Sequence, residues 1–146
     1  MEQKSKVSRR SFIKKAATGV AAGVTFLPNK ASWAGANERV RVAVMGINGM
    51  GKSHINSYMQ LKGVQVAALC DVDERLFGSR IKTYFTDKGK ADPKIYTDIR
   101  DLLEDKSIDA LSITAPNHWH TLAAIWAMQA GKHVSVEKPC CHNFFE

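Results

Sequence analysis

Apolar positions along this chain come in blocks whose period alternates between that of a strand and that of a helix. Val40-Arg41-Val42-Ala43-Val44 is a β-branched apolar run interrupted once, at Arg41, and predicts a strand. A glycine-rich turn follows. From Lys52 to Leu61 the apolar positions Ile55, Tyr58 and Met59, with Leu61 at the end, then recur at helical spacing. Val64 to Cys70 predicts a second strand that ends on Asp71. Asp73 suits the N-cap of a helix reaching Phe85, with Leu76, Phe77, Ile81, Tyr84 and Phe85 turned inward. Beyond a polar connection starting at Thr86, Lys94-Ile95-Tyr96 reads as a short third strand, and Asp98 caps a brief helix from Ile99 to Leu103.

Asp109 to Thr114 predicts a fourth strand, which Pro116 ends within the turn Ala115-Pro116-Asn117-His118-Trp119-His120. A helix from Trp119 to Ala130 is closed by Gly131, and His133-Val134-Ser135-Val136 is the fifth strand. Strands and helices therefore alternate throughout. That predicts the α/β class, a doubly wound parallel sheet with helices on both faces. Ligands of such sheets bind beyond the carboxyl ends of the strands, and Gly46, Asp71, Asn117 and Lys138 each lie there, after four different strands.

The first turn carries the strongest chemical signal. It holds three glycines in six positions, Gly46, Gly49 and Gly51, ahead of a helix start. Glycine permits a positive φ and close backbone approach, and free N–H groups at a helix start bind phosphate, so Asn48, Gly49 and Met50 are candidate donors as well. Two spellings fit. Gly46 and Gly51 are the outer glycines of the dinucleotide fingerprint G-x-G-x-x-G, with Asn48 in place of the middle one. Gly46 to Ser53 also matches G-x-x-x-x-G-K-S, the phosphate loop of nucleoside triphosphatases. Asp71 stands twenty positions beyond Gly51, where an acid accepts hydrogen bonds from ribose hydroxyls, although a triphosphatase also uses an aspartate after a strand.

Charge changes the picture less than its total suggests. The net charge of +7 divides into +5 over residues 1–38 and +2 over the remaining residues, so the basicity belongs mainly to a tail and does not point to nucleic acid. Within residues 1–36, Ser8-Arg9-Arg10-Ser11-Phe12-Ile13-Lys14 precedes a diluted apolar stretch from Ala16 to Leu27 and small residues at Ala31, Ser32, Ala34 and Ala36. This is similar to a twin-arginine export signal and its linker, which implies the twin-arginine translocase as a partner and a periplasmic or exported location, with an uncleaved membrane anchor or a disordered basic arm as the alternatives. Cys70, Cys140 and Cys141 are odd in number and lack metal-ligand spacing, so no metal site and no disulfide framework is expected. Cys70 reads as a buried inert thiol, and Cys140 and Cys141 as small packing residues.

Several polar residues admit two readings. His54 in the first turns of its helix is either a partner of solvent or backbone, or a donor near pyrophosphate. Arg75, four residues beyond Asp71, is either an exposed helix residue or a contact to a 2′-phosphate. Asp71 would repel that phosphate, which favours NAD over NADP. Lys138 is either a surface lysine paired with Glu137 or an acid/base group beside a nicotinamide. Asn117 and His120 are either turn and cap residues or donors to the nicotinamide ribose.

Taken together, the glycine turn, Cys70-Asp71-Val72-Asp73, the turn Thr114 to His120 and the run Ala130-Gly131-Lys132-His133-Val134 through Glu137-Lys138-Pro139 resemble the Gfo/Idh/MocA oxidoreductase family over residues 39–146. The resemblance decides for the dinucleotide spelling. It implies that residues 37–146 form an NAD(P)-binding Rossmann domain, with cofactor contacts from Gly46, Asn48, Gly49, Met50, Gly51, Asp71, Asn117, His120, Glu137 and Lys138, and with Lys138 catalytic. It further implies hydride transfer to or from a sugar, inositol or related polyol, and homo-oligomers of the full-length protein. A minority of the family are glycosidases that transiently oxidise C3 of the sugar. The family's second, α+β domain carries the substrate contacts. Its absence from these residues leads to the expectation of a truncated chain that binds NAD weakly and is inactive alone.

Overall fold

Valine, isoleucine and alanine crowd the central strands because those strands are covered on both faces. The computed structural model, which describes residues 39–145, has five strands: β1 (Val40–Met45), β2 (Val64–Cys70), β3 (Lys94–Tyr96), β4 (Ala110–Ile113) and β5 (His133–Val136). Every neighbouring pair is parallel, in the order β3-β2-β1-β4-β5. Parallel neighbours need crossovers. Helices α1 (Gly49–Gln60), α2 (Arg75–Tyr84), α3 (Ile99–Glu104) and α4 (His120–Gln129) supply them, with single 3-10 turns at Thr86–Lys88 and Asn117–Trp119. The export segment read in residues 1–36 lies outside the described residues. Among the described residues, no helix is long and apolar enough to cross a membrane.

Successive residues of a strand point to opposite faces. Ala43 and Met45 accordingly join Leu102, Leu111, Ile113, Ala123 and Ala127 in one core cluster, beneath α3 and α4. Val44 turns the other way, against Ile47, Ile55, Leu69, Phe77 and Phe85, beneath α1 and α2. The expected doubly wound architecture is therefore present.

Differences from the periodicity reading fall at helix ends. α1 begins at Gly49, three residues before the expected start, because the glycines tolerate its tight first turn: Gly51 N–H donates to Asn48 O at 2.7 Å. Leu61 ends outside the helix and 53% exposed, so it is not part of the inward stripe. α2 starts at Arg75 behind a helical Glu74 that makes no side-chain cap, and Asp73 supplies the capping bond expected of it, its Oδ1 accepting the Arg75 N–H at 3.1 Å. Cys140, expected in packing, is exposed.

The amino ends of the strands are held by a separate polar corner. Lys132 is buried, and its Nζ donates to the carbonyls of Asp105 (2.8 Å) and Ile108 (3.1 Å). The Asp105 carboxylate accepts from Lys94 Nζ (2.6 Å), Tyr96 Oη (2.8 Å) and Ser107 N–H (2.8 Å). Lys94 first, and then Ser107, hold this carboxyl well below the usual carboxylate range. A carboxylate with a depressed folded pKa contributes stability above its unfolded value, near pH 4, and loses it as pH falls through the folded value. Asp105→Asn is therefore expected to cost about 1–2 kcal/mol at neutral pH and to flatten the loss of Tm below pH 4, as read by thermal unfolding across pH.

Candidate cofactor site

β1 delivers the chain into a bend that only glycine can make. Gly46 has φ +83°, its N–H donates to Cys70 O at 2.8 Å, and its carbonyl accepts from Thr114 Oγ1 at 2.6 Å. A Cβ on Gly46 would stand 2.6 Å from Ala115 N, and one on Gly51 would stand 1.9 Å from Gly46 O. A Cβ on Gly49 would meet nothing within 4 Å. The outer glycines of the fingerprint are thus required by contact, which brings the start of α1 down against β1 and β4.

Asn48 is the N-cap of α1, yet its side chain makes no capping bond. Its Oδ1 instead accepts from Arg80 Nη2 at 3.2 Å, and Arg80 Nε donates to Ile47 O at 2.9 Å. First-turn N–H groups of a helix lack intrahelical acceptors, so the beginning of α1 keeps donors and a positive dipole end for an anion. The sequence reading missed Arg80. A signal existed: Arg80 lies three beyond Phe77 and four before Tyr84, on the inward stripe of α2, where a charged group needs a partner.

Asp71, at the end of β2, is part of the same construction. Its Oδ2 accepts from Ile47 N–H at 2.8 Å and its Oδ1 from Asp73 N–H at 3.0 Å. Each carboxylate oxygen can accept a second bond, which leaves capacity for ribose hydroxyls. Arg75 closes onto Asp73 instead of reaching outward, with Nε–Oδ1 at 2.7 Å and Nη2–Oδ2 at 2.9 Å. The Arg75 guanidinium is thus engaged by Asp73, as the Arg80 guanidinium is by Ile47 and Asn48. A cleft of about 610 Å³ opens beside Asp71, between the ends of β1, β2 and β4, with Val72, Pro116, Trp119 and Trp126 among its walls. Cys70 lines it too. Burial, followed by Asp71 and then Asp98 and Asp101, pushes its thiol up to about 12, so it stays protonated and unreactive.

At the ends of β4 and β5 the expected residues separate into two groups. Asn117 is exposed in the turn after β4, and Lys138 is exposed just after β5, ahead of the cis Lys138–Pro139 peptide. His120 is 1% exposed, with Nδ1 2.6 Å from Pro139 O and Nε2 2.8 Å from Ala115 O. Its ring nitrogens are committed to those carbonyls, so it pins the two turns together and is not placed as a ribose donor. Glu137 does not pair with the Lys138 ammonium. Its Oε1 meets His54 Nε2 at 2.8 Å, and its Oε2 accepts the Lys138 backbone N–H at 3.3 Å. The bond from His54, ahead of smaller contributions, lowers the Glu137 pKa. His54, expected either to partner solvent or backbone or to donate near pyrophosphate, has two side-chain partners among the described residues, Glu137 and Ser112. Because all five strands run parallel, Gly46, Asp71, Asn117 and Lys138 share one rim of the sheet. Among the described residues, no group of three or more His, Cys, Asp or Glu side chains is arranged to hold a metal.

Comparison with known proteins places this geometry. Residues 40–146 match the family model described as an oxidoreductase family with an NAD-binding Rossmann fold. A glycosyl hydrolase family 109 protein of Shewanella pealeana is 35% identical over 106 residues, covering 70% of this chain and 23% of that protein. The myo-inositol dehydrogenase of Lactobacillus casei, solved with NAD(H) and myo-inositol, is 29% identical with a TM-score of 0.63, over 70% of this chain and 29% of that one. The myo-inositol 2-dehydrogenase of Lactobacillus plantarum is also 29% identical with a TM-score of 0.63, over 73% of this chain and 30% of that one. The chain thus spans less than a quarter of the length of the curated relatives it matches. With the glycine bend, the acid after β2 and the parallel five-stranded sheet in place, the chain belongs to the Gfo/Idh/MocA oxidoreductase family, as its NAD-binding Rossmann domain, and NAD is its cofactor.

Proposed function

We propose that this chain is the nucleotide-binding part of an exported NAD-dependent enzyme that oxidises or reduces a carbinol carbon of a sugar or polyol. The observation that carries the reading is the start of α1. Asn48 is held away from its capping role by Arg80, so the N–H groups that a pyrophosphate needs stay available, next to an acid suited to a ribose. NAD supplies the two-electron hydride chemistry when bound. The chain's own part is to hold the pyrophosphate at Asn48, Gly49 and Met50, to accept ribose hydroxyls at Asp71, to contact the nicotinamide ribose from Asn117, and to take or return the substrate hydroxyl proton at Lys138 Nζ. The Asp71 carboxylate favours NAD over NADP by repulsion. Calorimetric titration with NAD⁺ and NADP⁺ tests the reading: NAD⁺ is expected to bind and to bind the tighter of the two, and absence of NAD⁺ binding would remove the assignment.

A second reading is favoured by one finding, the 35% identity to a protein named as a member of glycosyl hydrolase family 109. In it the same transient oxidation of a sugar carbon leads to glycoside cleavage without net redox change. Full-length protein given an aryl glycoside without added NAD separates the two. Release of the aryl group supports the glycosidase, and NADH accumulation with a polyol and NAD⁺ supports the dehydrogenase. Substrate contacts are assigned, on either reading, to residues outside this chain, and the full-length protein is proposed to be a homo-oligomer.

Export is inferred from Ser8-Arg9-Arg10-Ser11-Phe12-Ile13-Lys14. A folded protein can cross the twin-arginine translocase with its dinucleotide already bound. The double variant Arg9→Lys, Arg10→Lys is expected to keep the protein in the cytoplasmic fraction, and undiminished export of that variant would reject the signal.

A further inference from the structure

Behind the rim, three polar side chains from three separate elements meet. Ser112 sits in β4 and is 0% exposed, His54 sits in α1, and Glu137 follows β5. Ser112 Oγ lies 2.9 Å from His54 Nδ1, and His54 Nε2 lies 2.8 Å from Glu137 Oε1. Hydroxyl to imidazole to carboxylate is the connectivity of a hydrolytic triad. Here the hydroxyl is sealed inside the sheet, so it cannot meet a substrate, and a nucleophilic role is excluded.

The chemistry of the partners orders the protons. An ionised carboxylate only accepts, so Nε2 carries the proton that faces Glu137, and in the neutral ring Nδ1 accepts from the Ser112 hydroxyl. Glu137 thereby selects the tautomer and the Ser112 hydroxyl adapts to it, while Tyr58, ring edge to face at 6.0 Å, packs against the imidazole. The other Glu137 oxygen accepts the Lys138 N–H. A line of hydrogen bonds consequently runs from the middle of β4 to the backbone of Lys138.

We propose that His54 is a positioning residue of the cofactor site, which holds Glu137 and through it the turn that carries Lys138, without itself touching NAD. The proposal rests on the assignment of Lys138 to that site. It also accounts for a glutamate beside the lysine that does not pair with the ammonium.

The two nitrogens of His54 can be tested apart, because glutamine places a donor near Nε2 and asparagine places its polar group near Nδ1. In the whole chain, His54→Ala and His54→Asn are expected to weaken NAD⁺ binding about tenfold by calorimetry, the size of one lost charge-assisted hydrogen bond. His54→Gln is expected to stay within about threefold of wild type, since it keeps the donor. The Lys138 amide resonance should move in the Ala and Asn variants and stay in place in the Gln variant. Ser112→Ala, a smaller change, should leave the fold intact and keep the Nε2–H tautomer in long-range ¹H–¹⁵N spectra, because Glu137 still accepts that proton. Equal loss in the Gln and Ala variants would reduce His54 to packing and overturn the proposal, as would wild-type affinity in all of them. If wild-type protein binds no NAD⁺, the cofactor reading fails by itself, and an unmoved Lys138 amide in His54→Ala still decides against His54.

Discussion

Gly51→Ala is expected to abolish measurable NAD⁺ binding and to cost about 3 kcal/mol or more of stability, a large share of what a domain of this size has. The added Cβ would lie 1.9 Å from Gly46 O and 2.9 Å from Gly46 C, both backbone atoms that no rotamer change can move aside. Gly46 has little freedom to retreat, because its N–H is bonded to Cys70 O and its carbonyl to Thr114 Oγ1. Relief requires lifting α1 away from β1, which unpacks fully buried Ile55 and displaces the N–H groups assigned to the pyrophosphate. Gly46→Ala should be of the same order, since it combines a 2.6 Å approach to Ala115 N with φ +83°. Gly49→Ala is the informative contrast: its φ of +39° costs about 1 kcal/mol, but its Cβ enters open space. Denaturant unfolding and NAD⁺ titration on the three variants give the order, and a Gly49→Ala as damaging as Gly51→Ala would show that contact is not what selects these glycines.

Asp71→Ala is expected to weaken NAD⁺ by tenfold or more and NADP⁺ by less, narrowing the preference between them. Two effects add. The carboxylate assigned to the ribose disappears, and with it the charge that disfavours a 2′-phosphate. Ile47 N–H and Asp73 N–H also lose their acceptor, which loosens the bend on one side and the start of α2 on the other and costs about 1–3 kcal/mol. Asp71→Asn separates the two, because its one remaining oxygen can keep the bond to Ile47 while the charge is gone. The asparagine variant should recover most of the stability and little of the selectivity. Parallel losses for NAD⁺ and NADP⁺ would place Asp71 in the bend alone.

The family resemblance rested on short motifs, and the structure explains why those motifs contain what they do. Lys132, in the run Ala130 to Val134, turns out to work at the amino ends of the strands, where its ammonium bonds two carbonyls before β4. Lys138, only six residues later, lies at the opposite rim. One strand of four residues between them carries the chain from the structural corner to the cofactor rim. Thr114 in the same way is a clasp on the carbonyl of Gly46, and so belongs to the glycine bend although it closes a different strand.

Strand and helix assignments, the α/β class and the candidate rim were all legible in the residues alone, because side-chain period, glycine bends and proline stops act over a few neighbouring positions. Asp71 after β2 and Lys138 after β5 could be placed at one edge as soon as the strands were taken to be parallel. What the residues in a line could not disclose is which polar groups would find each other. Arg80 lies 33 residues from Ile47, Ser112 lies 58 from His54, and Glu137 lies 83 from His54. Those pairs exist only because β4 is laid beside β1, β5 beside β4 and α2 beside α1. The same docking buried both nitrogens of His120 against carbonyls, left Gly49 in open space and pressed Gly51 against Gly46. Local forces wrote the elements, and the order of strands in the sheet determined the partners.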